Sequence, residues 1–461
     1  MTDISFFNTL NRAKKTFESI KSKEVSMYSC GPTVYNFAHI GNLRSYVMSD
    51  LIRRVLVQNG YKVFQVMNLT DIGHLTSDAD FGDDKMMNAL KRENLPLSID
   101  SLKTVGHKYF EFFKEDLKEM NIIFPEKFVF ATDEIEEQVR LIKKLIDTSF
   151  AYETKDGIYF DTSKIADYGA LGGGIADSSH GRIATNTEKR NPEDFALWKF
   201  DDVGAVGFEA PFGKGFPGWH IECTAMSMKY LGEKFDIHTG GIDHIRVHHN
   251  NEIAQAEALT GKIPANFWIH NEHITIGQEK MAKSGDNFLS LAVLKEKGVK
   301  PLAYRYWLLT GRYSTRMDYS LEAILSSQIA YKKIVSLISE IEKEGQINEK
   351  YKEEFLKFIN DDLDTPKAIS VIWEVLKDES ITKEDKKATI LYFDEFLGLN
   401  LKEAKKETVE IPQEVKALNL QRNVARENKN WSEADEIRNK IRKLGFEVRD
   451  VGDDQEFDKI F

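Results

Sequence analysis

The spacing of apolar positions divides the chain into differently built stretches. Near the start, Val25-Ser26-Met27-Tyr28-Ser29 reads as a short strand. Leu43, Tyr46, Val47, Leu51 and Val55 then recur at three- and four-residue intervals, which predicts a helix with one buried face over 42–58. Asn59-Gly60 is a helix stop, and 62–67 is a second strand. Strand, helix, strand at this spacing predicts a βαβ unit with parallel strands.

Residues 102–145 read as mostly helical, with an interruption near Pro125. Phe150-Ala151-Tyr152-Glu153 and Ile158-Tyr159-Phe160 flank Asp156-Gly157, a hairpin signal. Residues 169–218 are rich in Gly, Asp and Pro and predict an irregular insertion. The α/β pattern resumes with a helix over 221–231, a strand at Phe235-Asp236-Ile237 and another at Phe267-Trp268-Ile269. A parallel sheet split by a long insertion is therefore expected. From 301 to 397 the pattern is almost wholly helical. A charged linker, 402–412, leads to a small terminal unit over 413–448. No internal repeat is present.

Composition narrows the function classes. The chain has 461 residues and is 41% hydrophobic, enough for two or three domains with real cores. No apolar run approaches the roughly 18 residues of a membrane span, and the first residues lack a basic-then-apolar leader, so a cytoplasmic protein with no membrane partner is expected. The net charge is −11, from 63 basic and 74 acidic residues. That argues against a general polyanion binder but leaves room for a local basic face. The only cysteines are Cys30 and Cys223, and in a reducing compartment a structural disulfide between them is not expected.

Three constellations carry candidate chemistry. The turn Cys30-Gly31-Pro32-Thr33-Val34-Tyr35-Asn36-Phe37-Ala38-His39-Ile40-Gly41-Asn42 ends where the predicted helix begins. A helix N-terminus offers unpaired N–H groups and a positive dipole end, suited to phosphate, and His39 and Gly41 stand there. Lys280-Met281-Ala282-Lys283-Ser284 places two lysines three apart after a late strand. Cys223, His248 and Glu252 are ordinary zinc donors, the last two sharing a helix face. Taken singly, these also read as a solvated loop, a basic surface loop and a surface helix contact. Gly213-Lys214-Gly215-Phe216-Pro217-Gly218 fits a dinucleotide-binding pattern, but Pro217 and the lack of a preceding strand argue against it.

Taken together, His39-Ile40-Gly41-Asn42 and Lys280-Met281-Ala282-Lys283-Ser284 resemble the HIGH and KMSKS signatures of class I aminoacyl-tRNA synthetases. Asn42 stands for the second histidine and Ala282 for the first serine. Pro217-Gly218-Trp219-His220-Ile221-Glu222-Cys223 and Val247-His248-His249-Asn250-Asn251-Glu252 resemble the cysteinyl-tRNA synthetase family in particular. So do Asn68-Leu69-Thr70-Asp71-Ile72, Asn191-Pro192-Glu193-Asp194-Phe195, Asp236-Ile237-His238-Thr239-Gly240-Gly241-Ile242-Asp243 and Asp361-Asp362-Leu363-Asp364-Thr365-Pro366. Residues 73–85 carry extra sequence relative to the shorter family form.

The resemblance implies a Rossmann-like catalytic domain in two halves, 1–105 and 216–300, split by a connective insertion, 106–215. It implies a stem-contact segment at 301–325, a helical bundle at 326–400, a linker at 401–412 and a small anticodon-binding unit at 413–461. The implied activity joins cysteine to tRNA(Cys) through cysteinyl adenylate, in a monomer. The catalytic residues would be His39, Lys280 and Lys283; ATP, with Mg2+, would also meet Gly41, Asn42, Gly241, Asp243 and His270. Gly31, Thr70 and Trp219 would contact cysteine. One Zn2+ per chain would sit on Cys30, Cys223, His248 and Glu252 and select the substrate thiol over the serine hydroxyl. Four protein ligands normally close a zinc site, so Glu252 is the candidate to loosen. Residues 413–449 hold nine basic against six acidic side chains, in keeping with RNA contact. The rival readings are a ligase that gives cysteine to an amino sugar, a zinc hydrolase using Glu252 or Glu222 as base, and a non-catalytic tRNA-binding paralogue. The terminal unit opposes the first; the His39 and Lys280–Lys283 pair opposes the other two.

Overall fold

The computed structural model describes residues 3–72, 85–172, 188–200, 206–277, 279–280, 288–403, 405, 411–451 and 454–459. The 73–84 stretch and Lys283 lie outside them. An N-terminal hairpin, β1 (Ser5–Asn8) and β2 (Ala13–Thr16), precedes the catalytic sheet. The sheet begins with β3 (Glu24–Ser29), α1 (Ile40–Gln58) and β4 (Lys62–Leu69), the predicted βαβ unit with parallel strands. Next come α2 (Lys85–Arg92), α3 (Ile99–Glu119) and β5 (Lys127–Phe130). After them lie α4 (Ile135–Asp147) and the strands β6 (Ala151–Thr154), β7 (Gly157–Phe160), β8 (Phe195–Phe200) and β9 (Gly215–Pro217). The chain returns through α5 (Trp219–Leu231), β10 (Phe235–Gly241), α6 (Asn250–Thr260) and β11 (Ala265–Asn271).

The parallel sheet has the order β11-β10-β3-β4-β5. β3 and β10 are adjacent but far apart in sequence, so the strand order reverses between them. Ligands of open α/β sheets bind outside the carboxyl ends of the strands at such a point. The inserted strands form a separate antiparallel sheet, β6-β7-β8-β9, over their own core of Leu141, Ile142, Ile158, Phe160, Leu197 and Trp198.

Two elements differ from the sequence reading. The break near Pro125 hides a strand: β5 pairs with β4 in the parallel sheet, so the first half of that sheet runs past residue 105. Four residues, Lys127-Phe128-Val129-Phe130, are too few to show a period. The expected irregular stretch contains β8, whose first four residues are all buried and so show no alternation.

A small sheet, β12 (Ile274–Ile276), β13 (Glu279–Lys280) and β14 (Met317–Asp318), has the order β13-β12-β14. α7 (Leu291–Glu296) and α8 (Pro301–Leu309) lie between β13 and β14. Then α9 (Leu321–Ser339), α10 (Glu349–Ile359), α11 (Thr365–Lys377) and α12 (Lys383–Leu397) make the helical region. The terminal unit is α13 (Gln413–Glu427), α14 (Trp431–Lys443) and the hairpin β15 (Phe446–Val451) and β16 (Asp454–Lys459). Its core, Val415, Ile437, Ile441, Phe446 and Val448, is separate from the main one.

A buried ionic network joins the sheet domain to the helical region. Asp50 on α1 accepts from Arg54 Nε at 2.8 Å, from the Arg305 guanidinium and from the Ile123 N–H at 2.9 Å. Burial pushes the Asp50 carboxyl up, but the two guanidinium groups outweigh it and hold it below its ordinary range. Arg305 also donates to the carbonyls of Leu397, Met120 and Asn121. Removing one partner of such a group strands the other. Arg305→Ala is expected to lower stability by about 3 kcal/mol or more, with Arg305→Lys recovering only part because one ammonium cannot span three segments. Urea unfolding monitored by circular dichroism measures it; a loss under about 1 kcal/mol, the worth of an exposed pair, would make the network dispensable.

Candidate active site

Of the predicted site residues, those on the turn after β3 and at the end of β10 lie at the carboxyl edge of the sheet, while Lys283 falls outside the described residues. Cys30 follows β3 directly, and its N–H donates to the Thr239 carbonyl of β10 at 3.1 Å. Gly31 donates to Asn68 Oδ1 at 2.9 Å. A Cβ there would lie 1.8 Å from the Asn68 carbonyl oxygen, so only glycine lets the turn pass β4 this closely. Thr70 and Val34 stitch the ends of β3 and β4 together, Val34 N to Thr70 O at 3.0 Å and Thr70 N to Pro32 O at 3.2 Å. Thr70 Oγ1 donates to buried Glu222 at 2.8 Å. Trp219, the first residue of α5, stacks on His248 with ring centroids 4.3 Å apart. Gly31, Thr70 and Trp219 thus stand around the cysteines.

At the base lies a buried donor cluster. Ligating atoms of Cys30, His248, His249 and Glu252 all fall within 4.8 Å of one another. Cys30 Sγ is 3.3 Å from His249 Nε2, and His248 Nε2 is 3.0 Å from Glu252 Oε1. Cys223, also buried, shares a hydrogen bond with the Cys30 sulfur. The donor group that the geometry brings together is thus Cys30, His248, His249 and Glu252; of the four expected ligands it holds three, with His249 in place of Cys223, which is buried nearby.

Its electrostatics suit a cation. Burial raises the Cys30 thiol, but Cys223, His249, His244 and His248 outweigh burial and bring it well below its ordinary value. Burial and the Cys30 sulfur together push Cys223 up. Burial opposes the Glu252 charge too, yet His238 and His248 pull that carboxyl down to about 2, while Glu252 and Cys30 lift His248 to about 10 against burial. A thiol shifted toward its anion and a carboxylate are thus buried together, with His248 shifted toward its cation beside them. Although Glu252 Oε1 is close to His248, it receives no well-formed hydrogen bond. A soft sulfur, imidazoles and an anionic oxygen in that arrangement fit zinc, which would replace the protons.

Helix α1 supplies the second feature. His39 is its N-cap: Nδ1 accepts the Asn42 N–H at 3.0 Å, and Asn42 Oδ1 faces the His39 N–H at 3.4 Å. This reciprocal cap gives the departure from the second histidine a structural role. With Nδ1 an acceptor, the neutral ring carries its proton on Nε2, the donor an oxyanion requires. A Cβ on Gly41 would lie 3.0 Å from that Nδ1, so glycine protects the cap.

Gly241 ends β10 beside Ser45 of α1, and Asp243 pairs with His273 Nε2 at 3.0 Å. His270 lies deeper: Nδ1 meets Thr9 Oγ1 and Nε2 meets His249 Nδ1, each at 2.7 Å. Both ring nitrogens have protein partners, which leaves the ring face or the backbone for a purine. Lys280 closes β13, which pairs with β12. Past the stretch that holds Lys283 the chain returns to α1: Ile40 N donates to Leu289 O at 2.8 Å, and His39 bridges Ser290.

Sequence reasoning did not single out two residues. His249 turns inward because residues Ile245–His249 form a π-helical turn, which breaks the 3.6-residue spacing behind the His248 and Glu252 pairing. His238 Nε2 holds Glu252 Oε2 at 2.8 Å while its ring stacks on Trp268. The available signal was its place on β10: with Phe235 and Ile237 flanking it, a polar residue in a buried strand needs a partner.

Comparisons with known proteins agree with this geometry. Residues 16–329 match the family of tRNA synthetases class I (C) catalytic domains, and residues 408–457 match the cysteinyl-tRNA ligase anticodon binding domain. The chain is 41% identical over 457 residues to cysteine–tRNA ligase 1 of Burkholderia lata, covering 98% of this chain and 96% of that one. It is 38% identical over 500 residues to cysteine–tRNA ligase of Zymomonas mobilis, covering 97% and 96%. Among solved structures, the methionyl-tRNA synthetase of Mycobacterium tuberculosis in complex with methionyl-adenylate shares the fold at a TM-score of 0.56 and 15% identity, over 82% of this chain and 90% of that one. A class I catalytic domain, a matching anticodon-binding unit and near full-length identity above a third to curated relatives place this chain in the cysteine–tRNA ligase family of class I tRNA synthetases.

Proposed function

We propose that this protein activates cysteine with ATP and transfers it to the 3′ end of tRNA(Cys), with a bound Zn2+ selecting the substrate thiol. The observation that carries the reading is the buried donor cluster at the sheet's switch point, from which the turn after Cys30 leads to the capped N-terminus of α1. A sulfur-selective floor and an oxyanion-binding wall then belong to one crevice.

In the first step the cysteine carboxylate attacks the α-phosphate of ATP, forming cysteinyl adenylate and releasing pyrophosphate. Catalysis of this kind is mostly positioning and charge stabilisation. His39 donates from Nε2 to a phosphate oxygen, and the N–H groups after Gly41 and Asn42 add the helix dipole. Lys280 and Lys283 bring positive charge to the leaving pyrophosphate, with Mg2+ on ATP. Gly241 and Asp243 border the ribose and His270 the adenine side. Gly31, Thr70 and Trp219 border the amino acid. In the second step a terminal ribose hydroxyl of the tRNA attacks the activated carbonyl and AMP leaves. Cys30, Cys223, His248 and Glu252 would hold zinc, which when bound prefers a thiolate to a neutral hydroxyl. His238 holds the carboxylate of Glu252 on the side away from His248.

The terminal unit supports tRNA as the acceptor. On its surface Trp431 is 60% exposed and Leu420 67%, beside the basic side chains of α13 and α14. Exposed aromatics stack on unpaired bases.

Three outcomes are expected. ATP–pyrophosphate exchange on zinc-loaded protein should proceed with cysteine and be at least about 10²-fold slower with serine, beyond what a pocket that merely tolerates a hydroxyl achieves; equal rates would overturn thiol selection. Cys223→Ser should lose bound zinc by elemental analysis while His249→Ala keeps it; the reverse would move the fourth ligand to His249. Trp431→Ala should raise KM for tRNA about tenfold, within the range of one lost base stack, with pyrophosphate exchange unchanged. Wild-type charging kinetics in that variant would remove Trp431 from RNA binding.

A further inference from the structure

Arg44, on the second turn of α1, is 3% exposed, and among the described residues no carboxylate lies within ion-pair distance of it. Its guanidinium is instead spent on main-chain carbonyls of two separate segments. Nη1 donates to His273 O at 2.7 Å; Nη2 donates to Arg312 O at 3.0 Å, to Tyr313 O at 3.3 Å and to Thr315 O. Burial draws its pKa down to about 10, with Tyr304 and Glu272 acting the other way. A buried charge compensated only by neutral carbonyls is costly, and nothing in the packing of α1 alone requires it.

The gripped segments lead into the small sheet. His273 immediately precedes β12, Thr315 lies two residues before β14, and β13 with Lys280 pairs on β12. The same segments are cross-linked, Glu272 N to Tyr313 O at 2.9 Å and Met317 N to His273 O at 3.2 Å. His273 in turn holds Asp243. At the other end of the lysine stretch, Leu289 and Ser290 bond to Ile40 and His39, and Tyr304 Oη donates to the Ile40 carbonyl at 2.9 Å. Arg44 thus supplies the side-chain hydrogen bonds between α1 and the near end of that stretch, as Leu289 and Ser290 supply those at its far end.

We propose that Arg44 is a positioning residue for adenylate formation: it fixes the capped start of α1, with His39, against the sheet that carries Lys280 and against the His273–Asp243 pair. The inference rests on the activation reading above and adds how the two phosphate-facing segments keep their separation. The planar fork puts Nη1 on one segment and Nη2 on the other; an ammonium presents three donors from one point and cannot reach all four carbonyls. The cysteine-side groups, Gly31, Thr70 and Trp219, are held by other bonds, to Asn68, Glu222 and His248, and stay in place when Arg44 changes.

The test is steady-state ATP–pyrophosphate exchange with Arg44→Met and Arg44→Lys, varying ATP and cysteine separately. Arg44→Met is expected to lower kcat on the order of 10²-fold, the cost of an ångström-scale misplacement, and to raise KM for ATP several-fold with KM for cysteine unchanged. Arg44→Lys should recover part of kcat. Both parameters within twofold of the parent would overturn the proposal. So would a fall in kcat with both KM values unchanged, the mark of a reduced folded fraction, or an equal rise in both KM values. If Arg44→Met does not fold, the same split in Arg44→Lys decides. Absence of cysteine-dependent exchange in the parent protein would instead sink the activation reading itself.

Discussion

The architecture hangs on one helix. α1 spans 19 residues, about 28 Å at 1.5 Å per residue, and it carries bonded polar groups at three levels, half-buried at the first and buried at the other two. Its first turn holds the capped His39 and the bonds to Leu289 and Ser290. Its second turn holds Arg44 and the two segments beneath the small sheet. Its third and fourth turns hold Asp50 and Arg54, which reach Ile123, Asn121 and Arg305. Each buried polar group must find partners or cost stability, and every partner comes from a different part of the chain. A shift of α1 along its axis would therefore break all three sets together.

The donor cluster obeys the same logic with stronger charges. Burial opposes negative charge on Cys30 and Glu252, so positive charge beside them favours it. Glu252 raises the affinity of the His248 and His238 imidazoles for a proton against burial, and a divalent cation would supply the positive charge more compactly. The surrounding rings, Trp219, Trp268 and further histidines, exclude water and keep each imidazole in one orientation. Gly240 makes that packing possible: a Cβ there would lie 2.6 Å from His244 and 2.7 Å from His249.

Much of this was legible in the sequence, for identifiable reasons. The βαβ unit was readable because Leu43, Tyr46, Val47, Leu51 and Val55 keep a helical period between two strands. The hairpin at Asp156-Gly157 was readable from its turn residues. Strands β5 and β8 were not, because one is short and the other buried on both faces. His39 and Gly41 stood out by their place at a helix start, Cys223 by its donor chemistry and Thr70 by family likeness, none of them by periodicity. His249 escaped because the π-helical turn shifts its direction, and His238 because a strand histidine shows no partner until the fold brings Glu252 to it. Arg44 looked like one more charged residue on a helix; its four carbonyl acceptors come from residues more than 200 positions away.

The N-terminal hairpin shapes how the molecule can be assembled. β1 and β2 are synthesised well before the segments they dock on. Asn8 bonds to Asn266, 258 positions on, and Phe7 to Asp362, 355 positions on. Thr9 reaches His270, and through it His249 and the sulfur of Cys30. At about 5–20 residues per second, the hairpin waits on the order of 10 s to a minute for its docking surface. Phe6, wholly buried at the end, spends that interval without Phe267. The donor cluster therefore acquires the hairpin's support only after the segments around His270 and Asp362 have been made, so the hairpin cannot complete the site as it emerges.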